Sequence, residues 1–280
     1  MVQKSLNEKK SVGIQLTLPA KHESDKTFLN WLTTLQQSGC DHVELNVPYP
    51  EEVDAKKIES FLSDFGLKCT NFASGGLYPN KVTSLSHSDE KVRSESIESI
   101  AKAIRFSADA NFKGLILGFA QGRHTKERSL ARKLFSDSLE KLVEVAKESN
   151  IIIVVEAVNS FISNVCNTIE DTVALVEKFP KEQFAILPDT YHMNIEEADM
   201  ALPLIKHVSW FKSIHFSENN RYFPGLGAVD FQEVYRALEF ANFKGTLTIE
   251  GNVKSDFENE LRASVALIKN LEVLENLYNR

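Results

Sequence analysis

Residues 151–156 read IIIVVE, an uninterrupted apolar run that ends on the carboxylate of Glu156. A strand buried on both faces is apolar throughout, so packing does not require a charge at its last position. Three later runs also end on an ionisable side chain: FAILPD at Asp189, FKSIH at His215 and TLTIE at Glu250. Such tips, roughly one βα unit apart, are typical of a (β/α)8 barrel, whose sites lie at the carboxyl ends of its strands.

Apolar strand-like runs alternate with amphipathic segments along the whole chain. Strands are predicted at 11–18, 42–47, 68–73, 113–119, 151–157, 184–189, 211–216 and 246–251. Helices are predicted at 25–39, 51–65, 89–110, 125–149, 168–179, 198–209, 230–242 and 257–278. This alternation predicts a parallel sheet with right-handed crossovers, closed into a barrel. The 280 residues suit a single domain over 1–280, since such barrels typically have about 250 residues.

The longest irregular segment, 74–88, follows the third predicted strand. It would therefore lie on the active face of a barrel, either as an ordinary surface loop or as a lid. Its pair Gly75-Gly76 is too short to identify a phosphate-binding loop. We expect the helix at 89–110 to begin after Ser88, a residue type that caps helices well.

Composition excludes several classes of protein. The net charge of -7 argues against a nucleic-acid binder, which usually carries a basic stripe. The sequence contains no run of 18 apolar residues, so we predict no membrane span. The three cysteines include no CxxC pair, which argues against a thiolate zinc site and favours a reduced compartment. We interpret 12–20 as the first strand and not a secretory signal, and therefore expect a cytoplasmic protein.

The four ionisable tips, taken together, predict a metal site. A single glutamate or histidine at a strand end is commonly a capping, core or surface group. Ionisable side chains at the equivalent positions of four successive strands instead favour a common function. Three carboxylates and one imidazole without sulfur suit Mn²⁺, Co²⁺ or Mg²⁺ better than Zn²⁺. Such an ion would accept adjacent carbonyl and hydroxyl oxygens of a substrate and stabilise a developing enediolate as a Lewis acid.

Two longer motifs carry a resemblance to a known family. The chain strongly resembles the ketose 3-epimerases, the D-tagatose and D-psicose (allulose) 3-epimerase group of the xylose isomerase-like TIM-barrel superfamily. The matching segments are PDTYHMNIEE at 188–197, HFSEN at 215–219 followed by Arg221, and PGLGAVDF at 224–231, together with Glu156, Asn159 and Glu250.

The resemblance implies a role for each of these residues. Glu156, Asp189, His215 and Glu250 would hold the metal, usually Mn²⁺ in this family. Glu156 and Glu250 would also be the two acid/base groups, one on each face of carbon 3 of the sugar. Each such positioned group contributes about 10²–10⁴ to a rate.

The same resemblance makes His192 and Arg221 substrate contacts that stabilise the enediolate. The alternatives are a solvent-facing loop histidine for His192 and a surface ion pair with Glu218 for Arg221. Glu218 would otherwise orient a metal ligand from outside the coordination sphere, and Asn159 is a weaker candidate of the same kind.

Three residues on the early strands are weaker candidates. Glu44, in mid-strand, either points into the barrel or is a structural charge of its lower layer. Phe72 and Phe119 could line the substrate pocket, although aromatic residues on strands are usually core.

The resemblance fails after the fifth-strand glutamate, and the fourth strand end, GFAQGR at 118–123, also lacks an expected aromatic residue. The sugar epimerases carry Asn-Arg-Phe-Glu where this chain has Asn159, Ser160, Phe161 and Ile162. In those enzymes the glutamate that ends this motif contacts the substrate. Because Ile162 stands at that position here, the carbon 1 end of the sugar would be held differently. Arg123, at the fourth strand end, could bind a phosphate or carboxylate, or could simply be exposed, so the identity of the sugar stays open.

The predicted function is therefore a metal-dependent epimerase acting at carbon 3 of ketoses. The alternatives are an aldose–ketose isomerase, a sugar-acid dehydratase and, more remotely, a non-catalytic sugar-binding barrel. Phosphodiester cleavage of the endonuclease IV type needs more histidines at strand ends than this chain has. We expect a small-molecule sugar as partner, no nucleic acid and no membrane. The apolar last helix suggests a dimer or tetramer, unless it packs only on its own barrel.

Overall fold

The computed structural model describes residues 10–278, in which parallel strands alternate with helices. The strands are β1 (Val12–Thr17), β2 (His42–Asn46), β3 (Lys68–Ala73), β4 (Gly114–Leu117), β5 (Ile152–Glu156), β6 (Phe184–Leu187), β7 (Ser213–Phe216) and β8 (Thr246–Ile249). The α-helices are α1 (Lys26–Ser38), α2 (Ala55–Ser63), α3 (Glu90–Asp109), α4 (Arg128–Glu148), α5 (Ile169–Val176), α6 (Thr190–Glu196), α7 (Ala201–His207), α8 (Phe231–Phe240) and α9 (Phe257–Tyr278). Every predicted strand is found, shortened at one or both ends in most cases.

The strands pair in the order β6-β5-β4-β3-β2-β1-β8-β7, and all these pairs are parallel. Two isolated parallel bridges, Ile186 to Phe211 and Asp189 to His215, join the β6 edge to the β7 edge. The predicted (β/α)8 barrel is therefore confirmed and is nearly closed. The second bridge also places two of the predicted metal ligands side by side.

Two local predictions about helices were wrong. Helix α3 is capped by Asp89 and not by Ser88: the Asp89 carboxylate accepts hydrogen bonds from the backbone N–H groups of Lys91 and Val92. Helix α6 was not predicted, because its seven residues are too few to show a helical hydrophobic period. Its N-cap is Asp189, whose carboxylate accepts a bond from the Tyr191 N–H and so serves both the helix and the site.

The barrel interior is apolar on one side and polar on the other. Ala73, Ile116, Val154, Ala185 and Leu187 form a small buried cluster along β3 to β6. Buried polar side chains from β2, β3, β7 and β8 form a connected group next to it: His42, Glu44, Asn71, Ser213, His215 and Thr248. Buried polar groups are tolerated where they satisfy one another, and this group supports the site from below.

The last helix packs mainly on its own barrel. Leu261, Val265, Ile268 and Leu271 of α9 are buried in the main hydrophobic core, whereas Leu274 and Leu277 are exposed. Among residues 10–278, no helix combines the length and the apolar character that crossing a membrane would require.

Candidate functional site

The four ionisable tips meet at the carboxyl end of the barrel. Glu156 is the last residue of β5, His215 lies in β7, and Asp189 and Glu250 lie just beyond β6 and β8. Each of them offers one ligand-type atom, and these atoms all lie within 4.8 Å of one another. Three of the side chains are buried, and that of Glu250 remains 17% exposed at the barrel mouth.

His215 Nδ1 lies at the centre of the cluster. It is 3.7 Å from Glu156 Oε1, 3.7 Å from Asp189 Oδ2 and 2.6 Å from Glu250 Oε2. Although the last two atoms are close, they are not aligned as a hydrogen bond, and both are buried without a hydrogen-bond partner among the described residues. Such unpaired buried atoms need an explanation. Three carboxylates and an imidazole nitrogen converging on one point fit a divalent cation.

The other nitrogen of the same ring is held by Glu44. Glu44 Oε2 lies 2.7 Å from His215 Nε2, and both side chains are fully buried. Glu44 Oε1 accepts bonds from Asn71 Nδ2 at 2.8 Å and from Thr248 Oγ1 at 3.3 Å. Glu44 thus points into the barrel, where it is buried directly behind a predicted metal ligand, as is usual for metal-binding histidines.

Burial and neighbouring charges shift the ionisation of the cluster in opposite directions. Burial raises the pKa of Glu156, and the Glu250 carboxylate adds to the rise. Burial alone would also raise the pKa of Asp189, but Arg221 and His192 hold it well below its usual range. Burial would lower the pKa of His215, yet Glu250 and Glu44 raise it well above its ordinary value. Opposed shifts in neighbouring groups are typical of functional sites.

Arg221 closes the cluster on the side of the β7 loop. Its Nη1 lies 2.5 Å from Asp189 Oδ2 and its Nη2 lies 2.6 Å from Glu250 Oε1. The guanidinium also lies over the Tyr191 ring, 5.0 Å from its centroid. The backbone of Arg221 has a left-handed φ of 63°, which a side chain without a β-branch tolerates at some cost. Because the Arg221 guanidinium pairs with Asp189 and Glu250, the alternative of a surface ion pair with Glu218 is wrong.

His192 lies in α6, is 1% exposed, and is not a solvent-facing loop residue. The Phe161 N–H donates to Asn159 Oδ1, which turns the Asn159 Nδ2 towards His192 Nδ1 at 2.8 Å. Because Nδ2 can only donate, His192 Nδ1 is the acceptor and a neutral ring carries its proton on Nε2. That nitrogen lies 3.8 Å from Glu156 Oε1. Asn159 thus fixes His192 as a donor at the site.

Glu218 has a different function from the two that we considered. Its carboxylate accepts hydrogen bonds from the backbone N–H groups of Gly225 at 2.8 Å and Val229 at 3.0 Å. It therefore holds the loop between β7 and α8 in shape. Gly227 leaves room for this arrangement, since a Cβ there would lie 2.5 Å from Glu218 Oε2.

A cavity of about 140 Å³ opens beside the cluster. Glu156, Glu250, Gln15 and Asn46 form part of its lining, and the half-exposed ring of Phe119 also lines it. No lysine or arginine is among the described residues that line it. A larger concavity of about 350 Å³ lies around residues 20–24 and 52–57 and includes none of the four cluster residues.

The remaining weaker candidates lie outside this cavity. Phe72 is fully buried and packs edge-on against Phe106 and Phe112, so it is core. Arg123 is exposed, and its Nη1 donates to the Phe161 carbonyl at 3.3 Å. At the point where the resemblance fails, Ser160 bonds to Glu196 through its N–H and its hydroxyl, both at 2.7 Å.

Some site residues gave little signal in the sequence. Glu44 was visible as a charge within a strand, but its partner His215 is 171 positions away, so the pairing could not be read. Gln15 and Asn46 looked like ordinary polar residues of strands. Only the closure of the barrel brings them to the same cavity as Glu156 and Glu250.

Three carboxylates and an imidazole thus meet at the carboxyl end of an eight-stranded parallel barrel, an arrangement that could hold a metal ion. The family model described as "Xylose isomerase-like TIM barrel" matches residues 32–271. The chain belongs to this family.

Several curated proteins are similar to the chain. The 3-dehydro-D-guloside 4-epimerase of Escherichia coli (strain K12) is 29% identical over 176 residues, which cover 60% of this chain and 67% of that protein. The L-ribulose 3-epimerase of Mesorhizobium japonicum is 26% identical over 255 residues, which cover 90% of this chain and 83% of that protein.

Solved structures share the fold. A structure of L-ribulose 3-epimerase superimposes with a TM-score of 0.82 at 22% identity, covering 95% of this chain and 96% of that one. A 3-keto-D-glucoside 4-epimerase from E. coli superimposes with a TM-score of 0.76 at 23% identity, covering 94% and 100%. At these identities the likeness supports the fold alone.

Proposed function

We propose that the protein is a metal-dependent epimerase that interconverts ketoses at carbon 3 through a cis-enediolate. The observation that carries this proposal is the meeting of Glu156 and Glu250, from β5 and β8, in one cluster. Epimerisation removes a proton from one face of a carbon and returns one to the other face. It therefore needs two such groups, whereas an aldose–ketose isomerase works on one face. Relatives named L-ribulose 3-epimerase and ketose 3-epimerase support the proposal.

The metal would be held by Glu156, Asp189, His215 and Glu250, whose ligand atoms already lie together. Mn²⁺ is the ion we expect, with Co²⁺ or Mg²⁺ as alternatives, because the set contains three carboxylates and no sulfur. When bound, the cation would polarise the substrate carbonyl and stabilise the negative charge that develops on its oxygen.

The chain's own residues would move the proton. One of Glu156 and Glu250 takes the proton from carbon 3, and the other delivers a proton to the opposite face. Positioned groups of this kind each contribute about 10²–10⁴ to the rate. In this proposal both carboxylates are ligands and acid/base groups, which keeps them within reach of the same carbon.

His192 and Arg221 would bind the enediolate oxygens. His192 Nε2 is available as a donor, since Asn159 occupies Nδ1. Arg221 has its guanidinium against Asp189 and Glu250, so its charge is already at the place where negative charge would develop. Donors fixed before the reaction stabilise such charge most effectively.

We further propose a small-molecule sugar as partner, without nucleic acid or a membrane, in a single domain over 1–280. The buried free thiols of Cys40, Cys69 and Cys166 support a reducing, cytoplasmic location. A homo-oligomer is also proposed, and the exposed end of α9 with Leu274 and Leu277 supports it.

A second candidate is epimerisation next to a ring ketone, at carbon 4 of a 3-keto glycoside. Two observations favour it: the relative named 3-dehydro-D-guloside 4-epimerase is 29% identical, and Ile162 replaces the glutamate that contacts substrate in the resembling ketose epimerases. The proton chemistry at Glu156 and Glu250 would be the same.

A product assay with the Mn²⁺-loaded protein tests the proposal. D-psicose, D-tagatose, L-ribulose and methyl 3-keto-glucoside are incubated separately, and products are separated by chromatography. Formation of the carbon 3 epimer of a ketose supports the proposed function. A carbon 4 epimer of the keto-glucoside alone would replace it by the second candidate, and an aldose or a dehydrated product would contradict both.

A further inference from the structure

The wall of the cavity contributed by β1 and β2 contains a directed row of amide groups. The Gly76 N–H donates to Asn46 Oδ1 at 3.2 Å, and Asn46 Nδ2 donates to Gln15 Oε1 at 2.9 Å. Gln15, Asn46 and Gly76 all line the cavity that includes Glu156 and Glu250.

The direction of this row is fixed by its first member. A backbone N–H can only donate, so the Asn46 carbonyl oxygen must face Gly76 and its NH₂ must face Gln15. The Gln15 carbonyl oxygen is then occupied, and its NH₂ group is left over. Within residues 10–278, Gln15 Nε2 has no hydrogen-bond partner, and it is not sealed from solvent. The row therefore presents a donor of fixed orientation to the cavity.

This donor lies on the strand next to the one that leads to Glu250, and across the barrel from the strand that leads to Glu156. In the strand order, β1 is four strands from β5, which leads to Glu156, and β2 is four strands from β6, which leads to His192. In the proposed function His192 and Arg221 bind the oxygens of the reacting carbons, so the Gln15 amide is left for a hydroxyl on one of the remaining carbons. No lysine or arginine is among the described residues on the lining, so the Gln15 amide meets an uncharged part of the ligand.

We propose that Gln15 is a specificity-determining residue: its Nε2, oriented by Asn46 and Gly76, donates a hydrogen bond to one hydroxyl oxygen of the sugar's non-reacting carbons. The proposal rests on the proposed function and adds to it a residue that binds a hydroxyl on the non-reacting carbons of the substrate. Gln15 takes no part in the proton transfer. Its loss therefore affects the substrate and the transition state alike, which raises KM and leaves kcat in place.

The test is a comparison of Gln15→Met, which keeps the length of the side chain and removes the donor, with the unchanged protein. Gln36→Met, on the exposed surface of α1, is the matched control. KM and kcat are measured with whichever of D-psicose, D-tagatose and L-ribulose is turned over fastest. The 4-deoxy and 5-deoxy forms of that sugar, and the 6-deoxy form if it is a hexose, are measured in parallel.

For Gln15→Met we expect KM to rise about 3- to 10-fold, as for the loss of one hydrogen bond, with kcat within about twofold. One deoxy sugar should show the same rise with the unchanged protein and no further rise with Gln15→Met. Gln36→Met should match the unchanged protein. A KM within about twofold of normal in Gln15→Met, or an undiminished penalty for every deoxy sugar, overturns this inference alone. Turnover of none of the ketoses overturns the proposed function and this inference with it.

Discussion

Glu44 Oε2 lies 2.7 Å from His215 Nε2, and both side chains are fully buried beneath the ionisable cluster. Because the carboxylate accepts the proton on Nε2, Nδ1 of the ring is turned towards Glu156, Asp189 and Glu250. The early strand β2 thereby sets the ring orientation of a proposed ligand on β7. Such a partner behind a metal-binding histidine fixes its tautomer and raises its basicity.

Replacing Glu44 by glutamine should therefore weaken metal binding. All groups around the Glu44 carboxylate are donors, namely Asn71 Nδ2, Thr248 Oγ1 and His215 Nε2. A glutamine NH₂ would face at least one of them. We expect about 10- to 100-fold weaker Mn²⁺ affinity, measured by calorimetric titration of the metal-free protein.

The matched control for that prediction is Glu98→Gln, at an exposed position of α3 that pairs with Lys102. It should bind Mn²⁺ as the unchanged protein does. Equal affinity in Glu44→Gln and Glu98→Gln would show that Glu44 does not orient the proposed ligand.

Metal removal should abolish activity and lower stability together. Exhaustive chelation should remove epimerisation, and Mn²⁺ or Co²⁺ should restore it. Since the proposed ligand atoms converge only in the folded chain, the metal should bind the folded state preferentially. At about 100 times its Kd it should add about 2.7 kcal/mol to the free energy of unfolding. Full activity in the metal-free protein, or an unfolding midpoint that is the same with and without added metal, would contradict the metal site.

The two carboxylates proposed as acid/base groups should be separable by isotope exchange. In Glu156→Gln and in Glu250→Gln, epimerisation should fall by about 10²–10⁴ or more, because each variant lacks one of the two groups. The remaining group can still exchange the proton on its own face. Each variant should therefore exchange deuterium into one epimer only, and the two variants should choose opposite epimers.

Mass spectrometry of each epimer incubated in D₂O measures this exchange. Loss of activity with no exchange in either epimer, for both variants, would assign these residues to metal binding without proton transfer.

The sequence was sufficient for the barrel and for the four tips, because both leave local signals. Each buried strand is a short apolar run, and a charge that ends such a run needs no partner to be noticed, as at Glu156. The resemblance to ketose 3-epimerases then extended the prediction to His192 and Arg221, which the structure places against Glu156 and against Asp189 with Glu250.

Contacts between distant strands could not be predicted in the same way. Glu44 and His215 are 171 positions apart, and Asn46 and Gln15 are 31 apart, so their pairing depends on how the barrel closes. Helix α6 escaped prediction because its hydrophobic pattern is too short to show a period. Its N-cap, Asp189, is also a proposed metal ligand. The sequence analysis predicted the ligand and did not recognise the same residue as a helix cap.

A structural carboxylate outside the site should determine part of the stability. Glu260, near the start of α9, accepts bonds from the backbone N–H groups of Lys254, Ser255 and Asp256 at 2.8, 2.6 and 3.1 Å. Burial alone would raise its pKa, but these donors lower it. Glu260→Gln should lower the free energy of unfolding by about 1–3 kcal/mol near neutral pH.

Because the folded-state pKa of Glu260 is depressed, its contribution is complete above the unfolded value, about 4.3. The contribution is lost as the pH falls through the folded value. Urea unfolding at several pH values should therefore show the difference between the unchanged protein and Glu260→Gln shrinking below about pH 4. Glu258→Gln, exposed on the same helix turn, should show no such loss. A difference that does not depend on pH would contradict this origin.

The proposed function is tested most directly by proton NMR of ketoses incubated in D₂O with the Mn²⁺-loaded protein, with spectra taken after the metal is removed. The account predicts deuterium at carbon 3 together with appearance of the carbon 3 epimer, since Glu156 and Glu250 exchange their protons with solvent. Deuterium at carbon 1 with formation of an aldose, or no exchange in any ketose while the metal is bound, would contradict it.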